Sequence, residues 1–551
     1  MTRPCVIAGG WLDSGERRNF LGRRWRARQP LSMSGWRSLI QRGRRWHRDE
    51  QWLFLVGLLV YGVYSVAWPL SAGRDFGTYV LYFYDFFSRP PVLPMLMLYR
   101  MPLTPMVFGG LLTAGGSILA ELALGFGYAL VIVAVYILGA AWSRRAGILS
   151  AAAVLAYPPF AALMHTAGSD SLFALGFVAW ATLVRLSVRR STVKVMVGHA
   201  IAVFALIMIR PLALVLLLFA AWPWLGDRPR AEKVRQSLAF IFTSAVLLIA
   251  WSTYNWWRLG DFTVARGGGI VLPLYRTYVL DRSIRPEMGP ASRRLAQAVQ
   301  RDLLTREPYR AAGTTLEAFL TAGATPMFFD LVGLSDRVFG WDDDYRVLRA
   351  AGLEAVVRQP RVYVWGLIRA WGEALLLPYE YEPPSRRLAC GPVVSVSAAP
   401  GQTSHLWWLL TTPDQQISTV WGSPEQPHLA FRDSAVEQRY LLISSLSQGL
   451  LDMLPGRAAA ASLGSFFNAA ARGYPPMIVW FMLGSVGAVL AGWPRALPLL
   501  VPAIFGWLLF GVTLLGLPYV PQYRLPLDPL FISWGMVGAC ALTDRLRRGH
   551  T

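Results

Sequence analysis

The sequence predicts an all-α, polytopic membrane protein with about ten transmembrane helices and a mostly helical outer region. Three observations carry that prediction. Mean hydropathy is +0.39, and 15% of residues are charged against 54% hydrophobic, where a soluble domain carries about a quarter charged. The apolar residues gather into runs of about 18, the length that crosses a bilayer as a helix. Arginines collect in residues 1–50 and in the short loops between alternate runs, as the positive-inside rule expects. The net charge of +21 therefore reads as a cytoplasmic-face charge, and no nucleic-acid partner is expected. Cys5, Cys390 and Cys540 are too scattered to form a disulfide framework or a metal site.

In chain order, residues 1–50 form a basic tail (RRNFLGRRWRAR, RGRRWHR) expected on the anionic cytoplasmic leaflet, with no cleaved leader. Apolar runs at 52–70, 122–142, 146–163, 170–187, 195–209, 211–225 and 236–257 make a membrane half over 51–257, with a first outer loop at 71–105. Runs at 475–493, 496–517 and 525–542 place further helices and a basic tail in 475–551. Arg144 and Arg145, then Arg185, Arg189, Arg190 and Lys194, then Arg228, Arg230, Lys233 and Arg235 fall on one side, together with Arg495, Arg545, Arg547 and Arg548. The turn His165–Asp170 on the other side has no Arg or Lys. Both termini are thus expected in the cytoplasm, with 71–105 and 258–474 outside.

The apolar, Gly-rich stretch 105–121 is read as a re-entrant or interfacial segment rather than a span. Residues 258–474 suffice for a small domain. Within them, helical spacing over 345–360 stops before Pro360. The stretch 362–378, with Trp365 and Trp371, suits a helix lying in the membrane interface. Val436, Tyr440, Ile443, Leu446, Leu450 and Leu454 recur at helical spacing, and 380–430 reads as loop.

Several residues can carry chemistry. Asp75 lies among Phe76, Tyr79, Tyr82, Phe83 and Tyr84; partial desolvation there tunes a carboxylate towards a general base, against the plainer role of capping a short helix. Asp85 is a supporting candidate. Arg210, beside Pro211 between two apolar runs, and Arg524, after Tyr523 in QYRLPLDPLF, stand at outer span ends. A planar guanidinium there suits a phosphate, or pins a helix end by snorkelling. Snorkelling is the preferred role for Arg89 and Arg100. His165 and Asp170 share the turn HTAGSD, either as part of a site or as helix capping. No His/Cys/carboxylate spacing points to a metal.

Four stretches together resemble the GT-C superfamily of membrane glycosyltransferases, and within it bacterial relatives of the protein O-mannosyltransferases and the aminoarabinose transferase of lipid A. GRDFGTYVLYF (73–83) and then YRMPLTP (99–105) resemble the acidic first-loop motif. AYPPFAALMHTAGSDSLFAL (156–175) resembles the span pair in which Pro ends one helix and Asp opens the next. YNWWRLGDFTVARGGG (254–269) resembles the segment leaving the last span of the conserved half, and QYRLPLDPL (522–530) the motif opening the final span. Many members carry adjacent Asp-Glu in the first loop, where this chain has Arg74-Asp75.

The resemblance implies a GT-C-like fold and inverting transfer of a hexosyl or pentosyl unit from a polyprenyl phosphate. The acceptor is a glycan, lipid or protein at the outer face of the cytoplasmic membrane. It implies Asp75 as base, with Arg74, Arg210, Arg266, Tyr523 and Arg524 holding the donor phosphate, and arginine or a divalent metal ion neutralising the leaving group. Two other readings are a lipid-linked oligosaccharide ligase or polymerase, and a transporter or flippase of lipid-linked sugars. Paired halves with interrupted helices would mark a transporter, and the sequence shows no such symmetry.

Overall fold

The computed structural model describes residues 47–68, 70–72, 79, 82–83, 86–87, 94–189, 192–266, 271–306, 309–340, 343–377, 418–421, 427–430, 457–491, 493–517 and 521–549. The chain divides into a short N-terminal unit, Met1–Asp49, and a main unit, Glu50–Thr551, which contains all of the apolar core. Each of the ten apolar runs falls on helix. Four helices are long and apolar enough to cross a membrane: Arg48–Ala67, Ile118–Gly139, Arg230–Leu259 and Ala496–Leu514. Two bent pairs bring the number to six if each is one span: Arg144–Leu155 with Pro158–Met164, at 69°, and Ser462–Gly473 with Met477–Leu490, at 47°. Length and composition thus support several membrane-crossing helices, short of the expected ten.

Both bends fall where the sequence places paired prolines, Pro158-Pro159 and Pro475-Pro476. Proline has no N–H for the helix ladder and pushes the preceding residue out of the α region; Tyr157 is accordingly extended, at φ −105° and ψ 90°. Glycine makes a third break. Hydrogen bonding runs from Leu103 to Gly139, but Gly115 and Gly116 leave helical geometry, and Gly116 sits at φ 64°, where a side chain would be strained. The break separates Leu103–Gly116 from the span Ile118–Gly139. Fourteen residues of helix reach about 21 Å, less than the ~30 Å hydrocarbon core, in agreement with the reading of 105–121 as less than a full span.

Two apolar cores form. The larger joins the membrane helices, with Trp180, Phe177, Phe219, Phe510 and Phe531 among its buried side chains. At one of its helix contacts a Cβ built on Gly487 would lie 2.2 Å from the Gly538 Cα, so these small residues let Met477–Ala491 and Asp528–Gly549 meet backbone to backbone. The second core lies within 271–358 and gathers Leu274, Tyr278, Leu295, Phe319, Leu331 and Leu348. Here the expected helix at 345–360 is Arg346–Arg358, followed at once by Pro360–Leu376.

Within the stretch read as loop, β3 (Ser418–Trp421) and β4 (Pro427–Ala430) pair antiparallel. The apolar face expected from Val436 to Leu454 lies outside the described residues.

Candidate functional site

The first loop leaves the Arg48–Ala67 helix through a two-residue strand, β1 (Ser71–Ala72). It pairs in parallel with β2 (Thr166–Ala167), in register Ser71↔Thr166 and Ala72↔Ala167. This ladder brings the start of the loop to the turn HTAGSD, nearly a hundred residues later. Asp75, Arg74, Asp85 and Arg89 lie outside the described residues. Of the loop aromatics, Tyr79 and Tyr82 are buried, and Arg100 lies over Tyr79 and Tyr99 at 5.8 and 5.5 Å from the ring centres.

Arg210 owes its position to its successor. Pro211 disfavours α geometry in the residue before it. Arg210 therefore ends the Val193–Ile209 helix in an extended conformation, φ −147° and ψ 123°, while its N–H still bonds to the Leu206 carbonyl at 2.9 Å. Beyond it runs a 15-residue 3₁₀ helix, Pro211–Leu225. The freed guanidinium donates to the Ser169 hydroxyl at 3.0 and 3.1 Å and pairs with the Asp170 carboxylate. Its charge lies over the Phe173 ring at 5.6 Å, within electrostatic reach of the Tyr79 and Tyr523 hydroxyls. Asp170 stands in the first turn of Ser169–Arg189, where the helix dipole favours a negative charge. Side-chain exposure is 20% for Arg210 and 18% for Asp170, so the pair is shielded yet open at one edge.

Behind the same turn lies a polar cluster anchored on Glu121. His165 Nδ1 and Glu121 Oε1 are 2.8 Å apart, and the Ser65 hydroxyl donates to the same carboxylate oxygen at 2.8 Å. Tyr61 stacks on the imidazole at 3.9 Å between centres and donates to the Met164 carbonyl at 3.3 Å. Glu121 and Ser65 come from two separate helices, and His165 directly precedes β2. The cluster thus fixes the turn that carries Asp170. In the sequence alone Glu121 marks only the end of a segment. A carboxylate just past a double glycine and at the head of a span was the available signal, because such a group is costly in lipid unless partnered.

The other two arginines of interest have partners of their own. Arg266 pairs with Asp261, and its N–H donates to the Leu98 carbonyl at 2.8 Å. Its segment folds back on the Arg230–Leu259 helix after Gly260, which is left-handed at φ 76°. Asn255 and Trp251 hold that segment, donating to the Thr263 and Val264 carbonyls at 2.7 and 3.0 Å. Arg524 is buried. It donates to Asp528 at 3.0 Å and to the Ala374 carbonyl, while the Tyr157 hydroxyl donates to the same aspartate at 2.8 Å.

Of the residues expected to serve a site, the structure therefore pairs Arg210 with Asp170, with Tyr523 within electrostatic reach and His165 in the same turn. Arg266 and Arg524 each sit in a separate ion pair. Among the described residues, no group of three or more His, Cys, Asp or Glu side chains is placed to hold a metal ion.

No family model, curated protein or solved structure matches the chain. A functional reading therefore rests on the geometry together with the motif resemblance.

Proposed function

We propose that this protein is a GT-C-type glycosyltransferase of the cytoplasmic membrane, transferring a sugar from a polyprenyl phosphate to an acceptor at the outer face. In this reading all ten apolar runs cross the membrane and both termini are cytoplasmic. The 3₁₀ geometry of Pro211–Leu225 supports this count: at about 2.0 Å per residue, its 15 residues reach roughly 30 Å, the hydrocarbon thickness. The observation that carries the proposal is the Arg210 site. A planar cation stands at the junction of two apolar helices, open at one edge, with the Tyr79 and Tyr523 hydroxyls within electrostatic reach and the β1–β2 ladder leading into the loop of Asp75.

The chemistry follows from charge. The acceptor hydroxyl gives its proton to Asp75 as its oxygen attacks the anomeric carbon. The bond from that carbon to the phosphate oxygen breaks, and the electron pair leaves with the polyprenyl phosphate. Arg210, with Tyr523 within its electrostatic reach and Arg74 of the first-loop motif beside Asp75 in the sequence, meets the charge that grows on the leaving group. Attack opposite the departing phosphate inverts the anomeric centre. Arg266 serves in the same reading from the Leu98 side, and Arg524 braces the start of the final helix. A divalent ion would add to the neutralisation if bound.

Purified protein in lipid nanodiscs, given synthetic polyprenyl-monophosphate and polyprenyl-diphosphate sugars, tests the proposal. The expected result is turnover of the monophosphate alone, abolished in Asp75→Asn with folding intact. Turnover of the diphosphate alone would favour an oligosaccharide ligase, and near-normal turnover in Asp75→Asn removes that residue from the mechanism.

A further inference from the structure

The Pro360–Leu376 helix has three distinct faces. One face seats on protein: Tyr363 donates to the Leu515 carbonyl at 2.7 Å, Gly366 lies against Arg276 and Asp281, and Ala370 and Ala374 are buried. Trp371 on this side packs against Trp507 and Phe510 of the Trp493–Leu514 helix, at 5.6 and 5.4 Å. A second face is polar, with an ion pair of 2.9 Å between Arg369 and Glu373. The third face is apolar and uncovered: Val364, Trp365, Ile368 and Leu376 are exposed, Trp365 to 70%.

We infer that this third face is a lipid-binding surface, seated at the headgroup–acyl boundary beside the Trp493–Leu514 helix. Continuity names the occupant. The protein-facing side rests on a helix that includes a candidate span, Ala496–Leu514, whose own Ile504 and Leu508 are exposed. Lipid that covers that span therefore adjoins the stripe. The polar face decides that the helix lies in the interface rather than crosses the bilayer. Arg369, 77% exposed, is near the middle of the helix, and in a crossing helix that charge would stand uncovered in hydrocarbon. A tryptophan on the apolar side with arginines at Arg361 and Arg369 is the side-chain set that anchors interfacial helices. The helix thus ties the 271–358 core to the membrane surface through the Arg276–Asp281 pair it covers, and it adds no crossing to the topology.

The inference rests on the membrane reading of the chain, and its test separates the two. Single cysteines are introduced as Trp365→Cys, Ile368→Cys, Arg369→Cys and Glu373→Cys in a background with Cys5, Cys390 and Cys540 replaced by Ser. They are spin-labelled in phosphatidylglycerol/phosphatidylethanolamine nanodiscs, with Val489→Cys on the Met477–Ala491 helix as the lipid-facing control. At 365 and 368, collisions with oxygen are expected to exceed those with a water-soluble nickel chelate; at 369 and 373 the order reverses. Water access at 365 and 368, with position 489 in lipid, overturns the inference. So does dipolar broadening at 365 and 368, which would mean that a second copy covers the stripe. Water access at 489 as well sinks the membrane reading itself. The unsubstituted protein gives an independent measurement. A diazirine lipid should label peptides within 361–377, and label confined to the spans overturns the proposal.

Discussion

Two arginine–aspartate pairs, Arg210–Asp170 and Arg524–Asp528, have the same chemistry and opposite settings. Arg524 and Asp528 are four residues apart, 3% and 0% exposed, and the aspartate also accepts from Tyr157. Arg210 and Asp170 come from different helices and are 20% and 18% exposed, and Arg210 also donates to the Ser169 hydroxyl. A fully enclosed pair is committed to the protein, because removing either partner strands a charge. A pair with an open edge can trade a carboxylate for a ligand's phosphate at modest cost. Burial, more than residue type, therefore distinguishes the two arginines.

The largest expected effect concerns the enclosed pair. Asp528→Ala leaves the Arg524 guanidinium and the Tyr157 hydroxyl without their shared acceptor. It should destabilise by about 3–5 kcal/mol, read as a collapse of folded yield or a large fall in thermal midpoint in detergent. A change below about 1 kcal/mol would erase the contrast drawn between the pairs.

For the open pair the expectation reverses. Arg210→Lys keeps the charge but loses the planar fork, and should shift stability by no more than about 1 kcal/mol. Binding of the polyprenyl monophosphate should nevertheless weaken about tenfold, measured by calorimetry in nanodiscs and corresponding to roughly 1.4 kcal/mol. A large stability loss with unchanged binding would make Arg210 a second brace.

A third pair extends the contrast through pH. Burial pushes the Asp281 carboxyl up to about 6, with the neighbouring Arg276 guanidinium pulling the other way. Their closest approach is 3.7 Å, and Arg276 also donates to the Leu514 carbonyl at 3.0 Å. Because the folded value lies above the ordinary one, the protonated form favours folding. The contribution is full below about pH 4 and is lost as pH rises through about 6. Hydrogen exchange at 271–280 and 363–370 should therefore quicken over that window beyond its intrinsic pH dependence, and Asp281→Asn should flatten the excess.

The smallest expected effect is at Glu354. Partial burial works to raise its pKa, yet hydrogen bonds from Ser292 and from the Ala291 and Ser292 N–H groups hold it below the usual carboxylate range. These bonds, 2.7 to 2.9 Å long, cap the Pro290–Ala298 helix. Glu354→Gln should cost about 1 kcal/mol, seen as faster exchange in the first turn of that helix alone.

Legibility in the sequence tracks the range of each interaction. Apolar runs, the breaks at Pro158 and Pro475, the extended Arg210 before Pro211 and the separation of 105–121 at Gly115-Gly116 are local matters of hydropathy and backbone sterics. Neighbours in the chain determine them, so the sequence alone suffices. The pairing of Arg210 with Asp170, of His165 with Glu121 and of Tyr157 with Asp528 joins residues 40, 44 and 371 positions apart. No periodicity encodes such partners. A buried polar group must find a partner wherever the packed helices bring one within about 3 Å, and which side chains those are depends on how segments distant in the chain pack together.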